Sequence, residues 1–175
     1  MNIYLVRHGQ TIYNALHRFA DGSVDLDALG IKQVLDMLVE TRKLPYEVIY
    51  CSPLLRARRT VSLLNETNVP VIEDNRLVER DPGDLEGMHY TEIDREEYWR
   101  YGSTIQYGTS ETVESVKERV YSFIEDLKTC GYENVMVVGH SGVSKLFYTY
   151  FNGMPEDGKL LDIGLEHGEV RVYTI

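Results

Sequence analysis

Arg7-His8-Gly9 places a cation and an imidazole directly after the apolar run Ile3-Tyr4-Leu5-Val6. The apolar run reads as a buried strand, and charged groups where such a strand emerges have no packing role. They are suited to meeting an anion. Two later segments repeat the arrangement. Glu47 to Cys51 is a short strand-like run followed by Ser52-Pro53 and, one turn on, Arg56. Asn134 to Gly139 is the most strand-like stretch and leads into His140-Ser141-Gly142. Two imidazoles and two guanidiniums brought together suit phosphoryl transfer: a neutral imidazole can attack phosphorus while planar guanidiniums grip oxygens two at a time. The transition state spreads charge over those oxygens, so fixed donors matter more than binding strength alone. A helix opening at Ser141 or Gly142 adds backbone N–H groups, that of Ser141 among them. The leaving oxygen still needs an acid. A carboxyl from the middle of the chain is the expected source, and Glu79, Asp81, Asp84 and Glu86 all qualify on spacing.

These groups meet only if three strands present their carboxyl ends on one side. Helical patterns do alternate with the strands. Asp27 can cap a helix running to about Arg42, with Ile31, Val34, Leu35 and Leu38 on one face. Pro53 sits near the first turn of a helix carrying Leu54, Leu55, Val61 and Leu64. Val69-Pro70-Val71-Ile72 is read as an edge strand, because Pro70 cannot donate to a ladder. A loop-rich stretch from Asp74 to about Ser110 follows, and Thr112 then starts an amphipathic helix with Val113, Val116, Val120, Phe123, Ile124 and Leu127 at helical spacing, ended by Gly131. A further helix runs to about Tyr150, and Glu169 to Ile175 forms a last strand, with Val170, Val172 and Thr174 set against Arg171 and Tyr173. The alternation predicts an α/β fold, a three-layer α/β/α arrangement around a mostly parallel central sheet, with ligands bound beyond the strands' carboxyl ends.

A chain of 175 residues fits one domain with a sizeable core. Its net charge of −10 argues against nucleic acid or an anionic membrane as partner, so any phosphate must be met by a local basic pocket. Cys51 and Cys130 offer neither a disulfide framework nor a metal-ligand spacing, and Cys51 reads as a small core residue. Arg7 interrupts the first apolar stretch too early for a signal peptide or membrane span, so a cytoplasmic location is expected. His17, His89 and His167 lack partners at useful spacing and are expected on the surface or in loops. Arg18 is equally open to a surface role or a substrate contact. The aromatics Tyr90, Tyr98, Trp99, Tyr101 and Tyr107 fit either a substrate-stacking surface or core packing.

The chain resembles the histidine phosphatase superfamily, whose phosphoglycerate mutase-like members form its branch 1. Arg7-His8-Gly9-Gln10-Thr11 with Asn14 matches that family's RHGxTxxN opening; Ser52, Leu54, Arg56-Ala57 and Thr60 match SxLxRAxxT. Leu77, Glu79, Gly83 and Glu86-Gly87 match LxExxxGxxEG, and Val138, His140 and Gly142 match the VxHxG-type site. The resemblance implies that His8 is the nucleophile and becomes a transient phosphohistidine. Arg7, Arg56 and His140 would bind phosphoryl oxygens, Asn14 would add a donor, and Glu79 would protonate the leaving group and then activate water. It implies no metal and no cofactor, a small phosphate ester as substrate, and one domain over 1–175 with a lid-like insertion at about 76–110. Two departures lie outside the proposed chemistry: Asp25-Leu26-Asp27 stands where Pro-Leu-Thr is usual, and Leu85 where an aromatic is usual.

Within the family, hydrolysis is favoured over mutase-type phosphoryl transfer, because the lid stretch offers only the separated Arg95 and Arg100 rather than an adjacent pair. Two readings from other classes fit less well. Gly139-His140-Ser141-Gly142-Val143 partly mimics a nucleophilic serine elbow, with Asp162 and His167 following, but leaves Arg7, His8 and Arg56 unused. A non-catalytic phosphate-binding module would be expected to lack one of His8, Arg56, Glu79 or His140, and all are present.

Overall fold

A computed structural model describes residues 1–175. Strands β1 (Asn2–Arg7), β2 (Val48–Cys51), β3 (Val71–Glu73), β4 (Asn134–Gly139) and β5 (Val170–Thr174) form one sheet in the order β3-β2-β4-β1-β5. The pairs β1–β4, β2–β4 and β2–β3 are parallel, and β5 joins β1 antiparallel at the edge. Helices α1 (Ile12–Ala15), α2 (Ala28–Thr41), α3 (Leu55–Leu64), α4 (Arg95–Tyr98), α5 (Val113–Leu127) and α6 (Ser141–Asn152) complete the framework. No helix is long and apolar enough to cross a membrane.

The period of two along each strand divides the core. Ile3 and Leu5 of β1 and Val135 and Val137 of β4 pack with α5 and α6. Tyr4, Val6, Met136 and Val138 face the other way and pack with α2 and α3. Strands buried on both faces need continuous apolar runs, and β1 and β4 supply them. The result is the α/β/α sandwich expected, with the carboxyl ends of β1, β2 and β4 on one side.

Two helix faces differ from the simple periodic reading. On α2 the inward residues are Gly30, Val34, Met37, Leu38 and Thr41, while Leu35 is 47% exposed. On α3 the inward face is Arg56, Ala57, Thr60, Val61 and Leu64, so Leu55 points outward and Leu54 only caps the helix. On β5 the buried residue is Tyr173, and Val172 is 54% exposed. Tyr173 joins the α5–α6 side by stacking on Phe151 at 4.6 Å between ring centroids. An aromatic ring that finds a stacking partner outweighs a valine for the covered face.

Between β3 and α5 the chain makes three short 3-10 turns and α4. Tyr98 and Trp99 from this stretch are buried in the core beside α5 and α6, and Tyr101 and Tyr107 pack against it.

Candidate active site

Each strand tip delivers its side chains by a local device. The His8 amide bonds to the Gly139 carbonyl at 3.1 Å and the Ser52 amide to Val138 at 3.0 Å, so all three tips stay laddered to their last residue. Beyond β1 the backbone turns under α2. A Cβ on either Gly9 or Gly30 would overlap the other segment's backbone, so both positions require glycine for this crossing. Asp27 caps α2 by accepting from Gly30 N at 2.7 Å and also receives Gln10 Nε2 at 3.1 Å.

A cavity of ≈ 540 Å³ opens beyond these tips, and Arg7, His8, Asn14, Arg56, Glu79 and Ser141 all line it. His140 lies behind His8, fully buried, with ring centroids 5.0 Å apart. His8 Nδ1 sits 2.6 Å from the Gly9 carbonyl. A carbonyl only accepts, so Nδ1 carries the proton and Nε2 keeps its lone pair. Burial, then the charges of Arg56 and Arg7, hold the His8 pKa well below the ordinary histidine value, so the ring is neutral. The same influences, burial first, depress His140. Its Nε2 meets Ser52 Oγ at 2.7 Å, whereas its Nδ1 is buried without a partner.

The two arginines are held from behind. Arg7 Nη1 donates to the Leu165 carbonyl at 2.6 Å and Nη2 to His167 Nε2 at 2.9 Å, and its Nε is buried without a partner. Arg56 Nη1 donates to the Asp21 carbonyl at 2.7 Å. Asn14 has a double role. Its Oδ1 closes a capping box with Thr11 at the start of α1, which leaves the amide NH₂ as its donor. Glu79 Oε1 accepts from the Gly142 amide at the start of α6 and from the Arg80 amide, each at 2.9 Å. A side chain at Gly142 would collide with that oxygen.

His167 lies in a loop, as expected, but has a partner in Arg7 that spacing did not show. Its ring centroid lies 5.7 Å from His8, it lines the cavity, and burial next to Arg7 pushes its pKa down to about 3. With Nε2 taken by Arg7, and no hydrogen bond between it and Ser141, His167 cannot serve a serine nucleophile. His17 is exposed as expected but stands at the cavity rim, and His89 is a partly exposed loop residue. Arg18 donates to the Gly87 carbonyl at 2.6 Å and does not reach the cavity lining. Cys51 is fully buried, and burial raises its thiol pKa to about 12. Tyr98 and Trp99 are core residues that also form cavity wall.

Sequence reasoning missed Lys145 and Arg80. Lys145 is buried on the inner face of α6, and its ammonium donates to the carbonyls of Leu160 (2.8 Å), Leu161 (2.5 Å) and Ile163 (2.6 Å). Burial lowers its pKa to about 8. It thereby ties down the loop that presents Leu165 and His167 to Arg7. Arg80 lies over Tyr98, with its carbon 3.6 Å from the ring centroid. A lysine inside an apolar helix face was the available signal for Lys145.

These three rings, two guanidiniums and one carboxyl group gather at one edge of a three-layer fold that known proteins share. A model of the histidine phosphatase superfamily (branch 1) matches residues 3–175. The chain belongs to this superfamily. It is 33% identical over 149 residues to a putative phosphoserine phosphatase 2 of Hydrogenobacter thermophilus, covering 80% of this chain and 73% of that protein. It is 32% identical to the uncharacterized phosphatase PhoE of Bacillus subtilis, covering 86% and 77%. Among solved structures, a putative alpha-ribazole-5'-P phosphatase from Escherichia coli superposes with a TM-score of 0.84 at 27% identity, covering 100% and 91%. Relatives at similar identity bear the names of phosphatases and, in Cytophaga hutchinsonii at 29% over 98% of this chain and 86% of that protein, of a 2,3-bisphosphoglycerate-dependent phosphoglycerate mutase.

Proposed function

We propose that this histidine phosphatase hydrolyses a small phosphorylated metabolite, a phosphomonoester, by way of a phosphohistidine on His8. The observation that carries the reading is the Nδ1–H to Gly9 hydrogen bond, which leaves a neutral Nε2 among buried cations at the cavity floor. In the first step the Nε2 lone pair forms a bond to phosphorus and the bond from phosphorus to the ester oxygen breaks. Glu79 in its acid form gives its proton to that oxygen. Because Oε1 already accepts two amide hydrogens, the proton rides on Oε2. Arg7, Arg56, His140, the Asn14 amide and the Ser141 N–H hold the non-bridging oxygens. In the second step Glu79 takes a proton from water as the water attacks phosphorus, the N–P bond breaks, and inorganic phosphate leaves with His8 neutral again.

Two further observations support hydrolysis of a small ester. Arg100 is paired with Glu97 at 2.7 Å, which leaves Arg95 as the cation of the 76–110 stretch facing the cavity beside Arg80. In this reading that stretch forms the lid over the alcohol half, with Tyr90, Tyr98 and Trp99 as its inner wall. The compounds named for the relatives, phosphoserine and α-ribazole-5'-P, are both phosphomonoesters, the class assigned here.

The purified protein should turn over para-nitrophenyl phosphate, and His8→Ala should abolish turnover. Radiolabelled substrate stopped in alkali, where phosphohistidine survives, should leave label on His8. Absence of turnover between about pH 5 and pH 8, where a neutral imidazole nucleophile should work, would reject the reading.

A further inference from the structure

Glu79 sits where the chain has no regular structure to fix it. Residues 79 to 82 belong to neither helix nor strand. Backbone carbonyls in and before such a run need partners from elsewhere, and one side chain reaches three of them between Arg76 and Glu79. Arg119, on α5, donates from Nη1 to the carbonyls of Arg76 and Val78, each at 2.7 Å, and from Nη2 to the Glu79 carbonyl at 3.2 Å. Its remaining N–H groups go to Glu111, Nε to Oε1 at 2.8 Å and Nη2 to Oε2 at 2.9 Å. A guanidinium has five N–H donors, and all of them are used.

Glu111 extends the grip past Glu79. Its Oε2 accepts from the Asp81 amide at 3.2 Å, and its backbone carbonyl receives Arg80 Nε at 2.6 Å. The carbonyl and amide groups on both sides of Glu79 are therefore fixed to one ion pair, each of whose side chains is only 16% exposed. Burial works to raise the Glu111 carboxyl, but the hydrogen bonds and charge of Arg119 override it and hold its pKa below the ordinary value. Neither residue lines the cavity. The pair acts on the backbone of Glu79, while Gly142 holds its carboxylate from the opposite side.

We infer that Arg119 and Glu111 form a clamp that positions Glu79 for proton transfer, rather than a general surface ion pair. The inference rests on Glu79 being the acid. It makes a demand that a purely structural role does not: loss of the clamp should hurt esters that need an acid far more than esters that do not. Because kcat/KM ends at formation of the phosphohistidine, it reports this step cleanly.

The experiment compares kcat/KM for an alkyl phosphate and for para-nitrophenyl phosphate, whose leaving group departs without help. It uses the whole chain with Arg119→Lys, Glu111→Gln and Glu79→Gln, and thermal melting alongside. Displacing a catalytic group by about 1 Å costs on the order of 10²-fold. The alkyl ester should therefore lose between about tenfold and 10²-fold in both clamp variants, and the aryl ester less than about threefold. Adding Arg119→Lys to Glu79→Gln should cause no further alkyl loss. Discrimination in Glu79→Gln but equal losses on both esters in the clamp variants overturns the clamp alone. Equal losses in Glu79→Gln overturn the acid assignment, and the clamp with it. Should Arg119→Lys fail to fold, Glu111→Gln, which keeps the guanidinium on its three carbonyls, carries the same test.

Discussion

Arg56 and its neighbours on α3 illustrate how residue chemistry depends on which side of a helix a charge falls. Arg58 points outward and pairs with Glu73 at 2.6 Å across half-exposed surface, an interaction of little net value. Arg56 points inward, is buried, and has one end of its guanidinium held by the Asp21 carbonyl. With one end anchored, the plane is fixed and the other end can meet phosphoryl oxygens in a set direction. A lysine could bring the charge but neither the anchor nor the plane. Arg56→Lys should therefore lower kcat/KM by about 10²-fold or more, with the melting temperature little changed. Steady-state kinetics check this, and a loss under about threefold would remove Arg56 from the phosphate site. Arg56 was legible in the sequence because it sits one turn after a strand end. His167 was not, because the partner that gives it a role, Arg7, is 160 residues away and on the first strand. No spacing rule reports a pairing made only by tertiary structure.

Among the elements, the strands and the longer helices were readable because apolar runs and helical spacing are local. What the periodic reading lost was the inward face wherever a polar group or glycine claimed it. Gly30 shows why. On a simple hydrophobic count it is a gap in α2, yet it is buried and presses on the backbone at Gln10, just as Gly9 presses back. The two glycines let the first turn of α2 lie directly against the chain leaving β1, which sets the height of His8 above the sheet. Gly30→Ala raises intrinsic helix propensity, so at an open site it would stabilise by about 1 kcal/mol. Here the added methyl has only backbone to push against, and overpacking of this kind costs about 1–3 kcal/mol. The variant should be net destabilised and should lose activity even well below its melting temperature. Chemical denaturation with parallel kinetics checks both parts. A stabilised, fully active Gly30→Ala would mean that the crossing does not position His8.

Taken whole, the molecule carries a surplus of negative charge outside and a cationic cage within, and the cage has a cost that pH reveals. His8, His140 and His167 are all kept neutral by burial and by adjacent guanidiniums, His167 with a pKa of about 3. In the unfolded chain each would titrate near pH ~6.5. Below that value the unfolded state binds protons that the fold refuses, so the stability these rings allow is complete above pH ~6.5 and shrinks as pH falls toward the depressed folded values. The carboxylates with lowered pKa, Asp21, Asp74, Glu111 and Glu125, act in the same direction but only near and below their own ordinary range. Between about pH 6.5 and pH 4.5 the imidazoles therefore dominate. His167 should remove about 2 kcal/mol between pH 7 and pH 5, with His8 and His140 adding to the loss in the same direction, so unfolding near pH 5.5 should take up more than one proton. Urea unfolding across this range, in buffer free of phosphate because a bound oxyanion would stabilise the fold, measures that number from the slope of stability against pH. His167→Asn should reduce it by about one. A stability curve that stays flat from pH 7 to pH 5 would mean that the rings can protonate within the folded cage, and His8 would then lack the fixed lone pair that the proposed chemistry needs.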